Sequence, residues 1–116
     1  MITLYGIPNC DTVRKARKWL AAHDIDYTFH DFRQDGLEED TLKRWIAAVG
    51  RETLLNRRGQ SWRKLSESDR ADLHDARALQ LMLREPTLIK RPVLEEDGVI
   101  HVGFSEAAYQ GRFGRD

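Results

Sequence analysis

The sequence predicts an α/β fold: a four-stranded mixed sheet with a helical insert. Three observations predict it. An apolar strand near the N-terminus hands over to an amphipathic helix and is followed by a second strand; a hairpin signature stands at Asp97-Gly98; and the stretch between them has helical patterning. The 116 residues, 41% of them hydrophobic, suit one domain spanning residues 1–116 that buries a core without disulfide or metal staples.

Taken in order, Ile2 to Ile7 is a short apolar run stopped by Gly6, Pro8 and Asn9, as a buried strand ends. A helix starting near Asp11 follows, with Val13, Ala16 and Leu20 at helical spacing and Trp19 beside them. Arg14, Lys15, Arg17 and Lys18 cover its other faces. Asp26 to Phe32 alternates aromatic and polar residues as a second strand, which completes a βαβ unit with parallel strands and a right-handed crossover. Leu42, Trp45, Ile46 and Val49 keep the i, i+3, i+4, i+7 register of an amphipathic helix that Gly50 stops.

From Arg51 to Pro86 the chain is polar at first and then apolar on most faces from Ala76 to Leu83. That pattern predicts a loop, one or two short helices and a buried helix ended by Glu85 and Pro86. Val93–Glu96 and Val99–Val102 flank Asp97-Gly98, the dipeptide that favours a two-residue type I′ turn. Ser105 stands as N-cap of a terminal helix that begins with Glu106 and two alanines.

Composition narrows the function classes. Lys plus Arg and Asp plus Glu number 19 each, so no net field draws in nucleic acid or an anionic membrane. No secretion signal and no apolar run of membrane-spanning length is present, which predicts a soluble cytoplasmic protein, expected as a monomer. A single cysteine forms no internal disulfide, and neither C-x-x-C nor metal-ligand spacing occurs, so no bound cofactor or metal is expected. His23, His30, His74 and His101 read as surface or strand residues.

Cys10 is the first candidate for chemistry. At the start of a helix its sulfur meets unpaired amides and the positive end of the dipole, which favour a thiolate; Asp11 beside it competes for the same amides and repels that charge. Position alone leaves a reactive and a packing cysteine both open. Arg91-Pro92 is the second candidate, with Pro92 shaping the backbone where a strand opens, through a cis bond in one reading and as a plain strand start in the other. Arg57 and Arg58, before Gly59, suit bidentate capture of an oxyanion or carboxylate, or are solvated surface. The stripe Arg14, Lys15, Arg17, Lys18 lacks interleaved aromatics and reads as a solvated face rather than a nucleic-acid surface.

Together, "YGIPNCDTVRKARKWL", "LLNRRGQSWRKL" and "PTLIKRPVL" resemble the ArsC/Spx family, most closely its YffB-like branch, over nearly the whole chain. The resemblance implies a thioredoxin-like fold, with Pro92 as its cis proline. It also implies a glutathione-dependent thiol reductase of arsenate reductase type in which Cys10 is the nucleophile and Arg91 binds the oxyanion. Arg14, Arg57, Arg58 and Pro92 form the implied substrate-binding set, the arginines pairing with glutathione's carboxylates; the implied partners are glutathione or glutaredoxin and a small oxyanion or thiol substrate.

Two departures from the family pattern bear on substrate. Asn56 aligns with an arginine of the arsenate reductases, next to Arg57 and Arg58, and Gly103 or Phe104 takes the place of their last arginine. Val13 stands where many Spx proteins carry the second cysteine of a C-x-x-C switch, which leaves a monothiol route resolved by glutathione. The alternative implied by the resemblance is an Spx-like regulator that docks on RNA polymerase without catalysis. A domain with an inert Cys10 is the third reading.

Overall fold

The computed structural model describes residues 1–114. The chain forms two units, one made of Met1–Asp31 with Arg91–Asp116 and the other of Phe32–Lys90.

The first unit holds the sheet. β1 (Ile2–Gly6) pairs in parallel with β2 (Thr28–Asp31) and antiparallel with β3 (Val93–Glu96), which pairs antiparallel with β4 (Val99–Val102). The order β2-β1-β3-β4 makes the sheet mixed, as the sequence predicts. β2 is shorter than the predicted Asp26–Phe32, because its pairing with β1 begins at Thr3 opposite Thr28 and ends at Gly6 opposite Asp31. The hairpin falls on the predicted residues, with Asp97 at φ 50° and Gly98 at φ 84°, the positive values a type I′ turn requires.

α1 (Asp11–Ala22) packs Val13, Ala16, Trp19 and Leu20 inward. Ala16, Trp19 and Leu20 join Leu4, Leu94 and Tyr109 in one buried cluster. The Trp19 and Tyr109 rings meet edge to face at 5.5 Å, a favoured aromatic geometry. Tyr109 belongs to the terminal helix α7 (Glu106–Phe113), whose N-cap Ser105 accepts a hydrogen bond from the Ala108 amide at 3.0 Å.

The second unit is the helical insert. α2 (Glu39–Val49) starts before the first apolar residue, with Glu39 and Asp40 in its first turn where the dipole favours acids, and stops at Gly50 with φ 85°. α3 (Arg51–Leu54), α4 (Gln60–Arg63) and α5 (Glu67–Arg70) are three short helices where one or two are predicted. Each is a single turn, too brief for periodicity to register. α6 (Asp75–Arg84) buries Ala78, Leu79, Leu81 and Met82 and packs against α2.

A 3-10 turn, Pro86–Leu88, follows α6, and an antiparallel bridge joins Leu55 to Ile89. The amide of Asn56 donates to the Leu88 carbonyl at 2.8 Å, and that of Lys90 to the Leu54 carbonyl at 2.7 Å. Among the described residues, no helix is long and apolar enough to cross a membrane.

Candidate functional site

The antiparallel pairing of β1 with β3 builds the site. Tyr5 lies opposite Val93, so the turn leaving β1 and the segment entering β3 emerge at the same end of the sheet. The first carries Cys10 and the second Arg91. In the turn, the Cys10 amide donates to the Ile7 carbonyl at 3.2 Å; the Cys10 carbonyl then accepts the first helical bond from Arg14 at 2.9 Å. Cys10 is thus the N-cap of α1, with the extended backbone of that position, φ −95° and ψ 127°. The Arg91-Pro92 bond is cis, and the Pro92 carbonyl accepts from Gly103 at 2.8 Å.

Four influences act on the partly exposed sulfur. Partial burial pushes the thiol pKa up. The Val13 amide, the Arg91 guanidinium through a hydrogen bond and its charge, and the Thr12 amide pull it down and together outweigh burial, so the pKa lies below the ordinary value. The sulfur makes no cap hydrogen bond of full strength, so these amides act as dipoles aimed at it rather than as close partners. This arrangement favours a nucleophilic thiolate open to solvent. Thr12 and Val13 contribute through their backbone, which no side-chain pattern reveals.

The other expected residues fall in different places. Arg14 donates to the Asp11 carboxylate at 2.5 Å and to the Asn9 carbonyl at 3.4 Å, so it lies beside Cys10 in the same turn. Asp11 sits at the first helical position and is engaged by Arg14. The Asp11/Arg14 spacing of three is legible in the sequence as a helical ion pair.

Arg57 and Arg58 belong to the second unit. Arg57 pairs with Glu52 at 2.8 Å and lies over the Trp62 ring at 5.2 Å, while the Arg58 amide donates to the Asn56 side chain at 3.2 Å. The histidines have structural contacts: His23 bonds the Trp19 carbonyl at 2.8 Å, and His74 caps α6 by accepting from the Arg77 amide at 3.3 Å. Among the described residues, no group of acidic, histidine or cysteine side chains could hold a metal ion. A groove of about 620 Å³ in the first unit lies along α1 and the start of α7, lined by Lys15, Lys18, Trp19 and Phe104 among others, and does not include Cys10.

A four-stranded mixed sheet with a cysteine capping its first helix and a cis proline opening a neighbouring strand defines a thioredoxin-like protein. Residues 5–111 match the model of the ArsC family, and the chain belongs to that family. It is similar to a solved structure named YffB (PA3664) protein, with 49% identity, 96% of this chain and 97% of that one covered, and a TM-score of 0.92. An arsenate reductase (ArsC) related protein from Brucella melitensis is 52% identical over 97% of this chain and 93% of its own, with a TM-score of 0.80. The global transcriptional regulator Spx of Streptococcus pyogenes is 29% identical over 100% of this chain and 87% of its own. The family thus includes proteins named for arsenate reduction and proteins named for transcriptional regulation.

Proposed function

We propose that the chain is a monothiol reductase that uses glutathione, with Cys10 as nucleophile and Arg91 as the cation that stabilises the thiolate and holds the anionic end of the substrate. The observation that carries this reading is Cys10, partly exposed at the start of α1, with its thiol held below its ordinary pKa by the Val13 amide, the Arg91 guanidinium and the Thr12 amide. Membership of the family supports it.

On a mixed disulfide of glutathione, the Cys10 thiolate attacks the glutathione sulfur, the disulfide bond breaks, and the substrate thiolate leaves and takes a proton from water. A second glutathione thiolate then attacks the Cys10 adduct and releases oxidised glutathione and the free Cys10 thiolate. The net reaction consumes one glutathione thiol per mixed disulfide: its sulfur joins that of the glutathione carried in by the substrate, and the substrate sulfur leaves reduced. With arsenate, two glutathione thiols supply the two electrons that reduce arsenic and leave as oxidised glutathione, but by the resemblance Gly103 or Phe104 stands where the arsenate reductases place an arginine. Each absent charge-assisted hydrogen bond weakens oxyanion binding by roughly 1.5–3 kcal/mol, so a thiol adduct is the better substrate.

The test is steady-state oxidation of glutathione, followed by coupled NADPH consumption, with a small glutathione mixed disulfide and with arsenate. Turnover of the mixed disulfide that disappears in Cys10→Ser supports the reading; no turnover with either substrate contradicts it. A second reading, an Spx-like docking module, is favoured by the 29% identity to that regulator over the whole chain. Retention of the chain by RNA polymerase α-subunit domain, unaffected by Cys10→Ser and without turnover, supports that reading instead.

A further inference from the structure

Asp11 raises a difficulty for any thiolate at Cys10. A carboxylate at the first helical position shares the amides that stabilise the sulfur and repels its charge across one residue. In the structure the Asp11 side chain is 85% exposed and is engaged by Arg14, not by the helix amides. The same guanidinium nitrogen also reaches the Asn9 carbonyl at 3.4 Å. Arg14 therefore brackets Cys10, with one contact on the residue before it and one on the residue after. It lies one turn into α1, with its own amide bonded to the Cys10 carbonyl at 2.9 Å.

We propose that Arg14 is a positioning residue for Cys10: held over the turn by its contact with the Asn9 carbonyl, it pairs with Asp11 and neutralises the carboxylate beside the sulfur. The role rests on the reading of Cys10 as a thiolate nucleophile. Arg91, from the segment entering β3, acts on the sulfur by its charge, and the charged groups that flank Cys10 on α1 are Asp11 and Arg14. Arg91 acts directly. Arg14 acts through Asp11, and this separates it from a residue that binds substrate.

A double-mutant cycle on the pH profile of Cys10 alkylation by iodoacetamide, read by intact mass, tests this. Arg14→Ala is expected to move the midpoint upward by about half a pH unit at low ionic strength, as suits an exposed pair, and less at high salt. Asp11→Asn is expected to lower the midpoint slightly. The double variant Asp11→Asn/Arg14→Ala is expected to return to the wild-type midpoint or below it, because the carboxylate that Arg14 restrains is gone. Arg14→Lys is expected to recover part of the shift. Both positions are exposed enough to leave folding intact, and the coupling is read as a difference between variants.

A midpoint in Arg14→Ala equal to wild type, or a double variant that stays as high as Arg14→Ala, overturns the proposal; the latter result makes Arg14 a direct partner of the sulfur or of substrate. A wild-type midpoint at the value of a free thiol, with the coupling intact, overturns the reductase reading and leaves the Arg14–Asp11 device standing.

Discussion

Arg91, which precedes the cis proline, acts on Cys10, the N-cap of the first helix: after the Val13 amide, its guanidinium lowers the thiol pKa by hydrogen bonding and by charge. Arginine suits this place because its charge is permanent and its donors form a rigid fork, one part of which can hold the sulfur while another takes an oxyanion or carboxylate. Under the proposed function, the same cation serves the nucleophile before attack and the leaving thiolate after it.

Gly6 ends β1 where the sheet touches α1. A Cβ there would stand 2.8 Å from Cγ2 of Val13, whose β-branched side chain is fully buried and has no room to turn. Gly6→Ala is expected to cost roughly 1–3 kcal/mol by overpacking. A lower urea midpoint with an unchanged slope checks it, and recovery of part of the loss in Gly6→Ala/Val13→Ala identifies the clash as the cause.

Ser105 closes the start of α7 through its bond to the Ala108 amide. Ser105→Ala is expected to lower stability by about 0.5–2 kcal/mol, with Ser105→Asp close to wild type, because an aspartate accepts the same amide and favours the helix dipole. Thermal unfolding of the three proteins measures the difference.

His101 lies on β4 with its ring against Tyr109. Burial first, and then the charge of Arg112, hold its pKa below the ordinary 6.5. A base whose folded pKa is depressed binds fewer protons folded than unfolded, so the unfolded state gains protons first as pH falls. Stability contributed by the neutral ring is complete above pH 6.5 and is lost progressively as pH drops through 6.5 toward the folded value. Urea unfolding between pH 7.5 and 5 is expected to show that decline, with a shallower one in His101→Gln. Equal slopes contradict the assignment.

The Tyr109 hydroxyl is buried and has no hydrogen-bond partner among the described residues, and burial pushes its pKa well above the ordinary range. Its ring contributes through Trp19, Phe104 and Phe113 at 5.5, 4.6 and 5.9 Å. Tyr109→Phe keeps those contacts and removes the desolvated hydroxyl, so it is expected to be neutral or stabilising. A loss of more than about 1 kcal/mol in urea unfolding contradicts this.

Those elements differ in how plainly the sequence announces them. The hairpin was legible because Asp97-Gly98 states its own turn, and α1 because Val13, Ala16 and Leu20 mark a face over about two turns. α5 was not, although Ser66 caps it by accepting from Asp69; four residues that are polar on every face give periodicity nothing to find. His74 as a cap of α6 was missed because an imidazole is an unusual acceptor for a helix amide.

At the site, the position of Cys10 before a helix was readable, but its partnership with Arg91 was not readable from the residues alone. The two lie far apart in sequence, and the pairing of β1 with β3 that joins them is a long-range choice that neither strand encodes locally. The family resemblance supplied the role of Arg91 for that reason. The answer to the Asp11 conflict also needed coordinates, since an i, i+3 spacing permits the Arg14 pair without requiring it.

The central claim is that Cys10 is a thiolate held by Arg91, and the pH profile of Cys10 alkylation in wild type and Arg91→Ala tests it most directly. The account predicts a wild-type midpoint below the value of about 8.5 typical of a free thiol, and an upward move in Arg91→Ala. A wild-type midpoint at the free-thiol value that Arg91→Ala leaves in place would contradict it.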